Sequence, residues 1–154
     1  MNKKKIIILN KKIYHNFFIQ KNIETGIILQ GWEVKSLRAH QITINNSYVN
    51  IINNKIYLIN TYITPLITSC NHNQYIINRK RELLLHTKEI ELIKNYVNKQ
   101  HLTVVLISLY WHKSFCKTNV ALARGKHKID KRNLLKYKEW NINKLRIQKK
   151  YIQK

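Results

Sequence analysis

The chain has 154 residues, room for one domain with a modest core but not for two. Lysine and arginine total 29 against 7 acids, a formal net charge of +22, so the surface draws polyanions from a distance and resists self-association. No apolar run approaches the ~18 residues of a membrane span, and residues 6–9, after a basic start, are too short for the apolar region of a secretory signal. The expectation is a cytoplasmic monomer with nucleic acid as first candidate partner and an anionic membrane as second.

In chain order, residues 1–5 read as a solvated arm and residues 6–9 as a short strand. Residues 25–30 are a β-rich run that Gly31 ends. Residues 33–40 predict a helix, with Val34 and Leu37 at i, i+3 on the buried side. Residues 47–52 and 55–63 predict two strands joined by Asn53 and Asn54, since asparagine tolerates the positive φ of a tight hairpin turn. Pro65 marks a loop running to about Asn78.

Residues 87–99 give the clearest helical period, with Ile90, Ile93 and Val97 on one face and His86 three before Glu89 in capping-box spacing. Residues 102–111 alternate two sets that are both largely apolar, so this strand is expected to be buried on both faces. A turn and a strand over residues 117–124 follow. Short strands with helices between them predict a mainly β fold with α: a small antiparallel β-barrel flanked by two or three helices.

After Arg124 the composition changes. Residues 124–154 hold 12 basic residues and 2 acids, Asp130 and Glu139, with a thin apolar stripe. Like charges repel, so the expectation is a tail disordered when free and helical once an anion neutralises it. The division is 1–124 for the barrel and 125–154 for the tail.

Catalytic chemistry is not expected. The acids Glu24, Glu33, Glu82, Glu89, Glu91, Asp130 and Glu139 are scattered, and Glu89 and Glu91 are two apart and cannot share a helix face. A two-metal nuclease needs several carboxylates at one site. Nothing resembles a phosphate-binding loop or a dinucleotide fingerprint. Cys70 and His72 have the spacing of half a metal site without a second pair, and read as a polar loop. No cofactor and no metal are expected.

Residues 29–38 read LQGWEVKSLR, which resembles the signature of the SsrA-binding protein (small protein B) family. Further segments fit in the same order: Ser47-Tyr48-Val49, Leu83 to His86 with Glu89, Leu109-Tyr110-Trp111, ALARGK at residues 121–126, Asp130-Lys131-Arg132, and Lys138-Glu139-Trp140. The resemblance spans residues 10 to 150. It implies an OB-like barrel that binds the tRNA-like domain of transfer-messenger RNA (tmRNA). It also implies a tail that senses the empty mRNA channel and decoding centre of a stalled ribosome, so that translation resumes in trans. Elongation factor Tu and alanyl-tRNA synthetase would be indirect partners.

By the same resemblance, Asn10, Phe17, Glu24, Leu84 and His86 fall on the family's RNA-binding face; Phe17 stands where tyrosine is common. The structural alternative for Glu24 is a salt bridge. Lys35, Arg38, Arg79, Arg81, Lys117, Arg124 and Lys126 are phosphate-contact candidates. Trp32 reads as core, and its indole would then want a buried acceptor. In the tail, Gly125 would be the hinge. Asp130, Lys131 and Arg132 would settle in the decoding region, and Lys136, Trp140, Lys144 and Ile147 would hold the helix in the channel. Four positions depart from the family pattern: His40-Gln41 replaces a glycine-lysine pair, Ile76-Ile77 an aspartate-proline pair, His127 a lysine, and Ile129 an aromatic or histidine. The alternative reading is a generic ribosomal or tRNA-binding protein, which predicts no preference for transfer-messenger RNA and a dispensable tail.

Overall fold

The computed structural model describes residues 5–66 and 75–152. The elements run β1 (Lys5–Leu9), α1 (Lys12–Asn16), β2 (Phe17–Ile27), α2 (Gly31–Arg38), β3 (Ile42–Thr43), β4 (Tyr48–Ile52), β5 (Lys55–Ile59), β6 (Tyr62–Ile63), β7 (Arg81–Leu84), α3 (Thr87–Gln100), β8 (Thr103–His112), β9 (Phe115–Gly125) and α4 (Lys128–Ile152). The main sheet has the order β1-β8-β4-β5-β7-β2-β9, and β8 also pairs with β9. The sheet therefore returns on itself as an antiparallel ring, with β1 and β4 sharing one edge of β8. A separate pair, β3 with β6, lies beside it.

One hydrophobic core lies inside the ring. Ile23, Ile56, Leu58, Leu83, Leu106, Leu109 and Leu122 belong to it, with Leu37 from α2 and Ile93 from α3. A second, smaller core lies on the other face of β8 and β9, where Ile13 of α1 covers Val105, Ile107, Ala121 and Ala123. This second cover is why β8 is apolar on both faces, as its sequence implied. Bulges move residues between the two cores, because one extra residue reverses the in-out alternation. On β8 the register shifts between Leu106 and Ser108, so Leu109 faces inward although Ile107 faces outward. On β2 the shift between Ile19 and Lys21 leaves Ile19 outside and brings Ile23 inside.

The β4–β5 turn is as expected: Asn53 and Asn54 both have positive φ, 49° and 63°. The second helix starts two residues earlier than predicted. Gln30 is its cap, and the Glu33 carboxylate accepts from the Gln30 N–H at 2.8 Å. It also stops earlier, because His40 has φ 58°, the left-handed region that favours the glycine of the family pattern. Of the β-rich run at 25–30 only residues 25–27 are strand, the end of a longer strand that begins at Phe17.

The expectation of a disordered tail is corrected: residues 128–152 form one continuous helix. Like-charge repulsion is outweighed by helix propensity and capping. No glycine or proline occurs between Lys126 and Ile152, and lysine, leucine, glutamine and arginine are good helix formers. The Asp130 carboxylate accepts from the His127 N–H at 3.0 Å at the positive end of the helix dipole. Tyr137 stacks with Trp140, and the Lys144 ammonium lies 5.1 Å from the Trp140 ring centre.

Candidate nucleic-acid interface

On the outer surface of the ring, four strands bring residues into rows. Leu84 on β7 pairs with Gly26 on β2, Gly26 with Lys117 on β9, and Lys117 with Tyr110 on β8. The next row is Glu24, Asn119 and Ser108. Strand alternation sets the direction: Leu83, Thr25, Ile27 and Cys116 are buried, so their neighbours face outward. Gly26 has a positional reason. A Cβ there would lie 3.3 Å from Leu84 Cβ, so the missing side chain leaves room for Leu84 beside it. Leu84 is a large apolar residue that is 55% exposed.

Glu24 is the acid of this surface. Burial, then a hydrogen bond to Glu24, push the Tyr110 phenol up to about 12, so the hydroxyl stays protonated and donates to the carboxylate. An acceptor held among lysines repels phosphate and favours a base amine or other donor. A tyrosine hydroxyl is thus one partner of Glu24. Tyr110 and Asn119 were missed as members of this surface, although the alternation along β8 and β9 could have found them.

The predicted RNA-binding residues do not form one cluster. Phe17 pairs with Gly125, nine residues along β2 from Gly26, or about 30 Å at ~3.3 Å per residue. Asn10 is buried, and its amide donates to the Ile44 carbonyl at 3.3 Å. It lines a groove of about 320 Å³ with Lys12, Phe17, Ser47 and Tyr48. Arg124 pairs with Phe18, over whose ring the Lys126 ammonium lies at 4.6 Å. Asn10, Phe17, Arg124 and Lys126 thus gather near the root of the tail. Glu24, Leu84 and Lys117 gather at the other end of β2, with His86 two residues beyond Leu84 at the cap of α3. Lys35 and Arg38 are exposed on α2, and the Arg38 guanidinium stands 5.9 Å from the Trp111 ring centre.

Two phosphate candidates, Arg81 buried and Arg79 part-buried, are held within the fold by their hydrogen bonds. Arg81 is 0% exposed, and its Nε donates to Glu33 at 2.8 Å. Its other nitrogens donate to the carbonyls of Thr61, Arg79 and Ile77. Arg79 donates twice to the same carboxylate and once to the Ile28 carbonyl. Both guanidinium groups are occupied in tying α2 to β7 and to the segment before it. Burial alone would raise the Glu33 carboxyl. Hydrogen bonds from Arg79 and the Gln30 N–H, and the charges of Arg81 and Arg79, outweigh it and hold the carboxyl below its ordinary value. Sequence reasoning missed Glu33; its only signal was an acid on the helix face that also carries Leu37. Trp32 packs against the inner core but is half-buried, its ring tilted against that of Tyr75 with centroids 4.9 Å apart, and its indole donates to Gln30 Oε1 at 2.6 Å.

At the tail's root, the Lys126 N–H donates to the Asn16 carbonyl and its ammonium to the Tyr14 carbonyl, both at 2.8 Å. Gly125 has no positive φ, so this conformation does not use the freedom for which glycine was singled out. Asp130 is engaged as a cap, and Lys131 is half-buried. Arg132, Lys136, Trp140, Lys144 and Ile147 are exposed along a helix of about 37 Å. Among the described residues, none of α4 belongs to either core.

Among the described residues there is no group of three or more metal-ligating side chains, and no helix is long and apolar enough to cross a membrane. Burial pushes the Cys116 thiol up to about 12, which makes it a poor nucleophile. Cys70 and His72, the first four residues of the arm and the middle of the loop after Pro65 lie outside the described residues.

Comparison with known proteins gives the family. The model of the SmpB protein family matches residues 7–150. An SsrA-binding protein of Buchnera aphidicola subsp. Schizaphis graminum is 49% identical over 149 residues, 96% of this chain and 91% of that one. That of Buchnera aphidicola subsp. Acyrthosiphon pisum (strain Tuc7) is 44% identical over 144 residues, 94% and 89% of the two chains. A chain in the solved structure described as "tmRNA-SmpB: a journey to the center of the bacterial ribosome" is 34% identical. It aligns with a TM-score of 0.64, covering 79% of this chain and 85% of that one.

Proposed function

The chain belongs to the SmpB family of SsrA-binding proteins, and from that premise we propose how its two halves divide the work. It is a non-enzymatic RNA-binding protein that binds transfer-messenger RNA in trans-translation on the ribosome. The barrel, residues 1–124, is of the OB-like kind and grips the tRNA-like domain of that RNA. The tail, residues 125–154, reads the vacant mRNA channel and decoding centre with Asp130, Lys131, Arg132, Trp140 and Ile147. Elongation factor Tu and alanyl-tRNA synthetase meet the protein only through the RNA. It acts as a monomer in the cytoplasm and needs no membrane.

The observation that carries this reading is the Leu84–Gly26–Lys117 row with Glu24 beside it. An apolar side chain, a cation and a held acceptor on one rigid surface match a base, a phosphate and a base amine. Asn10, Phe17, Arg124 and Lys126 form a second contact area near the tail. His86, Lys35 and Arg38 extend the first, and Arg79 and Arg81 support it from beneath.

Substituting Glu24→Ala and Leu84→Ala singly tests the assignment, with circular dichroism confirming the fold. Each is expected to weaken binding of the tRNA-like domain by about 1–3 kcal/mol, roughly 5- to 150-fold. Unchanged affinity in both would show that the RNA contacts another face.

A further inference from the structure

A concave site of about 390 Å³ adjoins the Leu84–Gly26–Lys117 row, between it and the tip of the β8–β9 hairpin. We propose that this site takes one unstacked RNA base, held against Phe115. The inference rests on the RNA-binding reading above and names the ligand of a part of that surface not yet assigned.

Phe115 is the residue that asks for an explanation. It is 71% exposed, the most exposed of the large hydrophobic residues among those described. It opens β9 directly after the two-residue turn Lys113-Ser114, paired with His112, and Lys113 takes φ 55°. The hairpin therefore holds the ring on a paired strand rather than on a loose loop. A lone exposed aromatic needs no explanation, but this one lines a cavity with Leu84, Trp111, Val34, Ser114 and Lys117. The volume falls within the ~300–1,000 Å³ usual for small-molecule sites.

The chemistry of the walls selects the occupant. Phe115 and Leu84 are exposed apolar faces, suited to a flat ring. The Ser114 hydroxyl can donate to or accept from the edge of a base. Lys117 is in the wall, Lys113 is at the tip, and Arg38 stands over Trp111. A nucleotide needs that pairing of apolar walls with a cationic rim; an apolar protein segment does not use the cations. Bases within an A-form helix are stacked and cannot enter, so the site selects an unpaired nucleotide of a loop or bulge. Stacking against an aromatic ring is sequence-tolerant, so Phe115 adds affinity, while Glu24 in the neighbouring row reads a donor.

The test uses the full chain and the tRNA-like domain of transfer-messenger RNA, with affinity measured at fixed salt. Phe115→Ala is expected to bind about tenfold more weakly or worse, and Phe115→Trp within about threefold of the unmodified protein. 2-Aminopurine placed in turn at each unpaired position should report one base whose fluorescence changes on binding and loses that change with Phe115→Ala. Phe115→Ala binding within about twofold of the unmodified protein, or Phe115→Trp failing as badly as alanine, overturns the base site. Glu24→Ala on the same RNA separates the two ideas. Loss there with none at Phe115 overturns this inference alone, whereas no binding by the unmodified chain overturns the RNA-binding reading with it.

Discussion

At the scale of residues, the charge of this protein divides into two kinds. Arg79 and Arg81 converge on Glu33, which is 0% exposed, and a buried carboxylate stripped of its partners is costly. Arg81→Ala is expected to lower stability by about 3–5 kcal/mol in denaturant unfolding, whereas Lys35→Ala on the exposed face of α2 should change it by less than about 0.5 kcal/mol. Equal small effects would mean that the buried pairs contribute nothing net. The same cluster sets an acid limit. The Glu33 carboxyl lies below its ordinary value of 4.5 in the fold, so the unfolded chain takes up that proton first. The stabilisation is complete above about pH 4.5 and is lost as pH falls through the lower, folded-state value. A pH series of unfolding midpoints checks this, and Glu33→Gln should flatten the acid limb while lowering stability at neutral pH. In the sequence Arg79 and Arg81 looked like any other cations. What distinguishes them is a contact 46 and 48 residues away, which no local pattern encodes.

At the scale of elements, legibility followed the range of the forces involved. The β4–β5 turn, the capping of α3 and the double-faced burial of β8 are local or periodic, and the structure has them as read. The start of β2, the small pair β3–β6 and strand β7 depend on distant partners and were missed or misplaced, whereas the misplaced start of α2 is set locally by its Gln30 cap. The candidate site divides the same way. Glu24 and Leu84 came from the family resemblance and Lys117 from its charge; the three share a surface, but their register across β7, β2 and β9 is a property of the ring. In the tail, helix propensity and the Asp130 cap outweigh like-charge repulsion. Asp130→Ala removes the carboxylate from the first turn of α4, and should cost about 0.5–1 kcal/mol and lower tail helicity by circular dichroism. Unaltered helicity would mean that the side chains further along hold the helix alone. Deleting everything after Gly125 removes no residue of either core, so the barrel should fold and keep most of its RNA affinity while tagging on stalled ribosomes is lost. Equal tagging by the truncated protein would sink the proposed role of the tail.

At the scale of the whole molecule, a net charge of +22 attracts any RNA, and specificity must come from the part of the surface that is not charge. That part is proposed to be Glu24, Leu84 and the base site at Phe115, set on the ring, with the lysines and arginines supplying salt-dependent attraction around them. Charge-driven affinity falls steeply with salt, while contacts to bases and apolar groups persist. The most direct measurement is therefore affinity for the tRNA-like domain of transfer-messenger RNA against an ordinary alanine tRNA across a salt series. The account predicts a preference for the tRNA-like domain that persists to near-physiological salt; equal affinities that collapse together as salt rises would contradict it.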